Sequence, residues 1–469
     1  MRLLAIVGFI IFTQCLSADE RPNIVLLIGD DHGYPYFGFM GDQNVVTPTM
    51  DALAEGGVTY TNGMVTTPYC RPSLRAILTG LHPTTYNHRV NDVVEQKKVS
   101  DENYKSLSVA SLRMWNAVTR ANAMSTFDTL PKLLKQKGYV SWQGGKWWEN
   151  SFKNGHFDEG MTEGWDMSLF GHDDFFHEMM GSDGNELVRS TMKPLYDFID
   201  KHGDSPKFIW FGPMLPHTPF DAPYRYRKYF EHKDISESAK QYYANIAWWD
   251  EGVSDLMDYL ESKGELDNTL FIYMTDNGWE QDPEVEYWRP VPEGEKLMDS
   301  EYLTGGMKGK GSLEDLGLRT PIIFYWKDKL KARMDTSSLI TTTDIFPTLL
   351  ELVGIEHNEP MLDGASVLPA ITGKDAETQR QEYITYSDNM RSLEDEMGVA
   401  AAGFSLRNKQ WHFYHYPSLN KVVLYDVVKD PRGNKNLASE NPELVKQFIS
   451  KIDDWKIKHK VEGRMTIHE

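Results

Sequence analysis

The chain has 469 residues, a formal charge of -20 and two cysteines. That charge excludes a general nucleic-acid binder, because backbone phosphates would be repelled. It leaves room for a small anionic substrate in a locally positive pocket. Two cysteines exclude a disulfide framework, and beyond the N-terminus no stretch is apolar enough to cross a membrane.

Met1-Arg2, the apolar run Leu3–Phe12 and the small residues Ser17 and Ala18 predict a cleavable secretory signal over residues 1–18. The mature protein would then be secreted or periplasmic. A lipoprotein anchored through Cys15 is the alternative, disfavoured by Gln14. With the leader removed, Cys70 is the one remaining thiol and has no internal partner. Packing as a small hydrophobe is one account of it; chemistry is the other.

From there strands and helices alternate. Ile24–Ile28, Tyr139–Trp142, Phe208–Phe211, Thr269–Met274 and Ile322–Trp326 are short, apolar and rich in β-branched or aromatic residues. Helical patterns lie between them. One opens at Thr47-Pro48 and closes at Gly56-Gly57, another runs from Leu130 to Gly138, a long one from Ser238 to Gly264, and one from Thr343 to Val353. This alternation predicts an α/β sandwich on a largely parallel sheet. After a boundary near Gly373-Lys374-Asp375 the character changes: Gly403–His415 and Lys421–Val428 read as two antiparallel strands and Pro442–His459 as a terminal helix. The resulting division is 1–18, 19–373 and 374–469.

Four clusters fall just past strand ends, where open α/β sheets place ligands. They are Asp30-Asp31, the run opened by Cys70, Asp276-Asn277-Gly278, and a basic group of Lys146, His217 and Lys310. Asp30, Asp31, Asp276 and Asn277 are hard oxygen donors of the kind Ca²⁺ or Mg²⁺ takes, and no CxxC or HExxH suggests zinc. Singly, each acidic pair reads as a turn or cap, and each lysine as a solvated one. Two acidic strand-end pairs with a lone cysteine at a helix start are harder to read that way.

Cys70-Arg71-Pro72-Ser73, closed by Leu78-Thr79-Gly80, resembles the signature of the type I, formylglycine-dependent sulfatases. Asp30-Asp31 and Asp276-Asn277 are similar to that family's metal pairs, Gly145-Lys146-Trp147 to its Gly-Lys-Trp element, and Lys310 with Arg319 and Pro321 to its second lysine block. Leu424-Tyr425-Asp426 with Asp430-Pro431 resembles its C-terminal subdomain. The resemblance implies an alkaline-phosphatase-like fold: a mixed, largely parallel sheet between helices, with a small antiparallel C-terminal sheet. It implies that a maturase oxidises Cys70 to formylglycine, whose hydrate has one hydroxyl to attack sulfur and a second to expel sulfate. It also implies one Ca²⁺, rather than Mg²⁺, held by Asp30, Asp31, Cys70, Asp276 and Asn277, with Lys146 and Lys310 as point charges on the sulfate. His217 or Lys310 would protonate the leaving alcohol. The substrate would be a sulfate monoester on a small molecule or, more specifically, a carbohydrate.

Two positions depart from the family pattern. Leu74 stands where the signature has arginine, leaving Arg75, a residue later and about 100° round a helix, or Arg71 to contact substrate. Trp148 stands where the Gly-Lys-Trp element continues with histidine; His82, His88 and His156 are the candidates to replace it. Two other readings follow: a phosphomonoester or phosphonate hydrolase of the same fold, and a non-catalytic binder of sulfated glycans. The segments Asn91–Asn122 and Trp279–Asp299 carry no legible motif.

Overall fold

A computed structural model describes residues 21–172, 174–279, 309–394, 400–431 and 433–462. The leader, Cys15 and nearly all of the 279–299 segment lie outside these residues. Strands are numbered here in chain order. In the large sheet they are β1 (Asn23–Gly29), β2 (Val58–Met64), β3 (Val140–Gly145), β4 (Glu159–Gly160), β5 (Lys207–Gly212), β6 (Thr269–Thr275), β7 (Arg319–Tyr325), β8 (Arg333–Asp335) and β9 (Ile340–Thr341). Their order is β4-β3-β5-β1-β6-β7-β2-β8, with β9 beside β2. Pairing is parallel from β4 through β6 and antiparallel on both sides of β7. This is the mixed, largely parallel α/β sheet that strand-helix alternation requires.

Asn23-Ile24-Val25-Leu26-Leu27-Ile28-Gly29 is apolar almost throughout because both its faces are covered. Ile24, Leu26 and Ile28 enter one core with the helices Cys70–Thr79, Pro83–Ser100 and Ile345–Leu352; Val25 and Leu27 enter the other with Pro48–Gly56, Lys193–Lys201 and Glu237–Ser262. The unread segment Asn91–Asn122 is helical for most of its length, in Pro83–Ser100 and Val109–Asn122. Among the described residues no helix is long and apolar enough to cross a membrane.

The small sheet corrects one expectation. Gly403–His415 is not one strand but the ends of two, and the sheet has four: β10 (Glu382–Glu394), β11 (Ala400–Asn408), β12 (Trp411–Tyr416) and β13 (Lys421–Asp426), all antiparallel. The chain reverses at Asn408, whose side-chain oxygen accepts from the amides of Gln410 (2.9 Å) and Trp411 (2.7 Å). A side chain that closes such a turn substitutes for the ladder. One face packs on the helix Pro442–Lys458 through Phe448 and Ile452. The other meets the large domain, where Tyr414 and Tyr416 touch Leu313 and Leu318, and His412 Nδ1 lies 2.9 Å from Asp315.

Candidate active site

The site forms where β1, β3 and β6 end. Asp30 and Asp31 continue β1, Asp276 and Asn277 continue β6, and the parallel β1–β6 register sets the two pairs side by side. Asp31 has φ 61°, a left-handed turn that aspartate tolerates better than most residues. Its amide donates to Asp276 Oδ1 (3.1 Å) and its carbonyl accepts from Tyr242 (2.9 Å). At the end of β3, Gly145 has φ 89°, and a Cβ there would lie 1.8 Å from the Gly212 carbonyl. Only glycine allows that approach, and it delivers Lys146, whose amide bonds the same carbonyl at 2.7 Å.

Oxygens of Asp30, Asp31 and Asp276 and the sulfur of Cys70 lie within 4.8 Å of one another, all on buried residues. Lys146 Nζ is paired with Asp30, and Lys310 Nζ lies 2.7 Å from Asp31 Oδ2. Asn277 Nδ2 donates to Asp31 Oδ1 at 2.6 Å. His217 Nε2 is 3.6 Å from Asp31 Oδ2, while its Nδ1 is 2.7 Å from the Thr218 carbonyl. A carbonyl can only accept, so the proton sits on Nδ1 and Nε2 faces the cluster. Cys70 is the first residue of its helix, and Tyr69 before it makes no side-chain cap.

Burial pushes the Asp30 carboxyl up to about 7 in spite of Lys146 and His217, and raises Asp276 as well. At Asp31 burial is outweighed by Lys310, His217 and Lys146, which hold the carboxyl well below its usual range. Burial pushes the Cys70 thiol up to about 12 against the pull of the two lysines. Crowded carboxylates that cannot all ionise in isolation are what a divalent cation stabilises. The bonding pattern fits one: Asp30 Oδ2, Asp276 Oδ2 and Asn277 Oδ1 are buried oxygens with no hydrogen-bond donor among the described residues. Three orphaned hard oxygens suit Ca²⁺ or Mg²⁺.

The structure therefore brings Asp30, Asp31, Cys70, Lys146, His217, Asp276, Asn277 and Lys310 together. Arg75, expected on the substrate, is committed elsewhere: it forks onto Glu149 and lies 4.8 Å from the centre of the Tyr86 ring. The histidines offered in place of Trp148 are also occupied. His82 bonds Thr84, His88 the Lys460 carbonyl and His156 Thr129. Trp148 itself lies with its ring 6.0 Å from Lys146 Nζ and edge-on to Phe176 at 5.6 Å.

Several supporting residues escaped the sequence reading. Thr275 bonds the carbonyls of Gly29 and Asn277, tying the two acidic turns together. Asn245 donates to the carbonyls of Pro216, His217 and Pro219, and Arg189 to those of Met214, His217 and Pro219, so the His217 loop is held from two sides. The signal for Asn245 was an amide on the buried face of an apolar helix. Arg189 and Glu149 gave none.

A mixed sheet of this order, a small antiparallel sheet behind it, and a lysine-flanked carboxylate cluster at the strand ends define an alkaline-phosphatase-like hydrolase. Residues 22–355 match the sulfatase family model, and residues 306–458 match the model for the C-terminal part of N-sulphoglucosamine sulphohydrolase. The chain belongs to the sulfatase family, a class of sulfuric ester hydrolases. It is 25% identical to the uncharacterised sulfatase YdeN of Escherichia coli, covering 94% of this chain and 86% of that one. It is also 25% identical to an ulvan-active sulfatase of Formosa agariphila, covering 94% and 75%. The crystal structure of Ps i-CgsB with k-i-k-neocarrahexaose superposes with a TM-score of 0.69 at 21% identity, over 96% of this chain and 95% of that one.

Proposed function

We propose that this chain is an exported carbohydrate sulfatase that hydrolyses a sulfate monoester with formylglycine made from Cys70 and one bound Ca²⁺. The observation that carries this reading is the convergence on one point of Cys70, three buried carboxylates, two lysines and three oxygens, on Asp30, Asp276 and Asn277, that have no donor among the described residues. Asp30, Asp31, Asp276 and Asn277 would hold the ion, beside residue 70. Bound there, the ion supplies charge neutralisation for the sulfate oxygens, and the matured side chain supplies the attacking hydroxyl. Lys146 and Lys310 hold the anion as point charges. With Nδ1–H held by the Thr218 carbonyl, His217 would give a proton from Nε2 to the departing alcohol when the ring is doubly protonated, and the neutral ring left behind would take one back afterwards; Lys310 is the other candidate donor.

The carbohydrate part draws on the relatives named above and on an aromatic wall beside Lys146. Phe176 is 56% exposed and stands against Trp148, giving apolar faces on which a sugar ring can stack. Where the family pattern has a polar histidine, this chain offers a surface. Residues 1–18 would direct export, 19–373 form the catalytic domain and 374–469 the C-terminal subdomain.

Peptide mass spectrometry across Cys70, on protein exported by its own host, tests the reading together with paired aryl sulfate and aryl phosphate substrates. Formylglycine with turnover of the sulfate is the expected result. Preference for the phosphate would favour the phosphomonoester or phosphonate hydrolase instead. Unmodified cysteine in a host that matures other sulfatases, with binding but no turnover of a sulfated glycan, would establish the binding protein.

A further inference from the structure

The helix Cys70–Thr79 places residues 71 and 75 on one face, four apart, so Arg71 and Arg75 point the same way. Two like charges so placed repel, and both are largely out of water, with side chains 12% and 2% exposed. What lies between them is Glu149, 3% exposed. Arg71 reaches it through Nε to Oε1 (3.0 Å) and Nη2 to Oε2 (3.2 Å), and Arg75 through Nε to Oε1 (2.7 Å) and Nη2 to Oε2 (3.0 Å). Each carboxylate oxygen thus accepts from both guanidiniums. Two forked contacts on one planar group fix distance and angle together, as a single-point lysine contact would not.

Glu149 lies three residues beyond Lys146, on the segment that leaves β3. The backbone of that segment is pinned by Lys146 N to Gly212 O and Trp147 N to Met180 O, both at 2.7 Å. The helix that begins at Cys70 and the segment that carries Lys146 are therefore joined by one side chain, a few residues from each reacting group. Buried ion groups of this sort are often replaceable by apolar side chains without loss of stability, so holding the chain together does not by itself account for this one.

We propose that Glu149 is a positioning residue: gripped by Arg71 and Arg75, it sets the placement of residue 70 relative to Lys146. This chain carries out by a buried three-residue link what its shifted arginine, turned away from the substrate, does not do by contact. The catalytic consequence rests on the hydrolase reading above; the mechanical one does not.

The test uses the full-length matured protein with an aryl sulfate. Glu149→Gln should lower kcat about a hundredfold, the usual scale for a small misplacement of reacting groups, with KM little changed. Hydrogen exchange should quicken together in the peptides spanning 69–80 and 145–150. A triple change, R71M with R75M and E149M, should restore Tm but not kcat. Return of kcat along with Tm in the triple variant, or faster exchange in only one of the two peptides, would overturn the proposal. A wild-type protein without turnover would sink the hydrolase reading instead, and the exchange experiment would still decide whether the link exists.

Discussion

The two ends of the large sheet hold buried charge in opposite ways. At the start of β1, β5 and β6, Lys207 donates to Glu265 (2.8 Å) and to the carbonyls of Ser205 (3.2 Å) and Gly203 (3.5 Å). Asn23 there donates to Glu265 (2.8 Å) and accepts from the Lys207 amide (2.9 Å). One cation faces one anion, and neighbouring polar groups complete the pattern. At the other end three carboxylates face two lysines, and three oxygens have no donor among the described residues. Unequal satisfaction separates a group that keeps the sheet in register from one with room for a ligand.

The sharpest way to break that contrast is at its open end. Asp276→Asn should abolish Ca²⁺ binding in calorimetric titration and lower kcat by about a thousandfold, the scale of losing the main charge stabiliser of a transition state. Chelation should lower Tm of the wild type and leave that of Asp276→Asn unmoved. Retained affinity in the variant would show that the orphaned oxygens are not ligands.

The closed end should behave in the opposite sense. Lys207→Met leaves Glu265, 16% exposed, with Asn23 as its donor and should cost about 1–3 kcal/mol in urea unfolding, the scale for a charged group short of one hydrogen-bond partner. Ca²⁺ affinity should stay at the wild-type value. A fall in affinity would mean the two ends are coupled along the strands.

A third buried pair, His459 beside Asp363 at 3.3 Å, is the subtler case. Burial pushes His459 down to about 4 and Asp363 up to about 6. The histidine's contribution to stability is present above its unfolded value near 6.5 and is lost as pH falls toward 4. The aspartate's is present below 3.8 and is lost as pH rises through 6. Between pH 4 and 6 the two oppose each other. Relative to wild type, His459→Gln should make the unfolding free energy fall with rising pH across that window, and Asp363→Asn should make it rise, each by at most about 1.4 kcal/mol per pH unit. Slopes of the same sign would refute the assignment.

The smallest effect belongs to the aromatic wall. Phe176→Ala should raise KM for a sugar sulfate several-fold, on the order of 1 kcal/mol for one stacking face, while a small alkyl sulfate is unaffected. Equal losses on both substrates would place Phe176 outside the sugar contact.

Where the signal lies within the run itself, the fold was legible. The apolar runs that became β1, β5 and β6 carry both faces in their composition, and the acidic pairs sit directly after them. The turn at Asn408 was missed because its strands carry polar residues on both sides of it, so the alternation never visibly stops. Arg75 was misplaced for a different reason. Its partner, Glu149, is 74 residues away in a segment without periodicity, and nothing local tells an arginine which carboxylate it will find. Arg189, which holds the His217 loop, belongs to the same class: a guanidinium bonding backbone carbonyls leaves no pattern in the chain.

Asp31 and Asp276 are 245 residues apart, yet they are hydrogen-bonded beside Cys70, itself 7% exposed. During synthesis the segment around Cys70 emerges long before β6 and β7 exist to complete the sheet. If Cys70 is converted to formylglycine as proposed above, an enzyme that oxidises the thiol would have its opening then, on an extended chain, before folding buries the residue. On that reading the order of the strands in the sheet would act as a clock, and a variant that hastened pairing of β1 with a later strand would leave more of its cysteine unconverted.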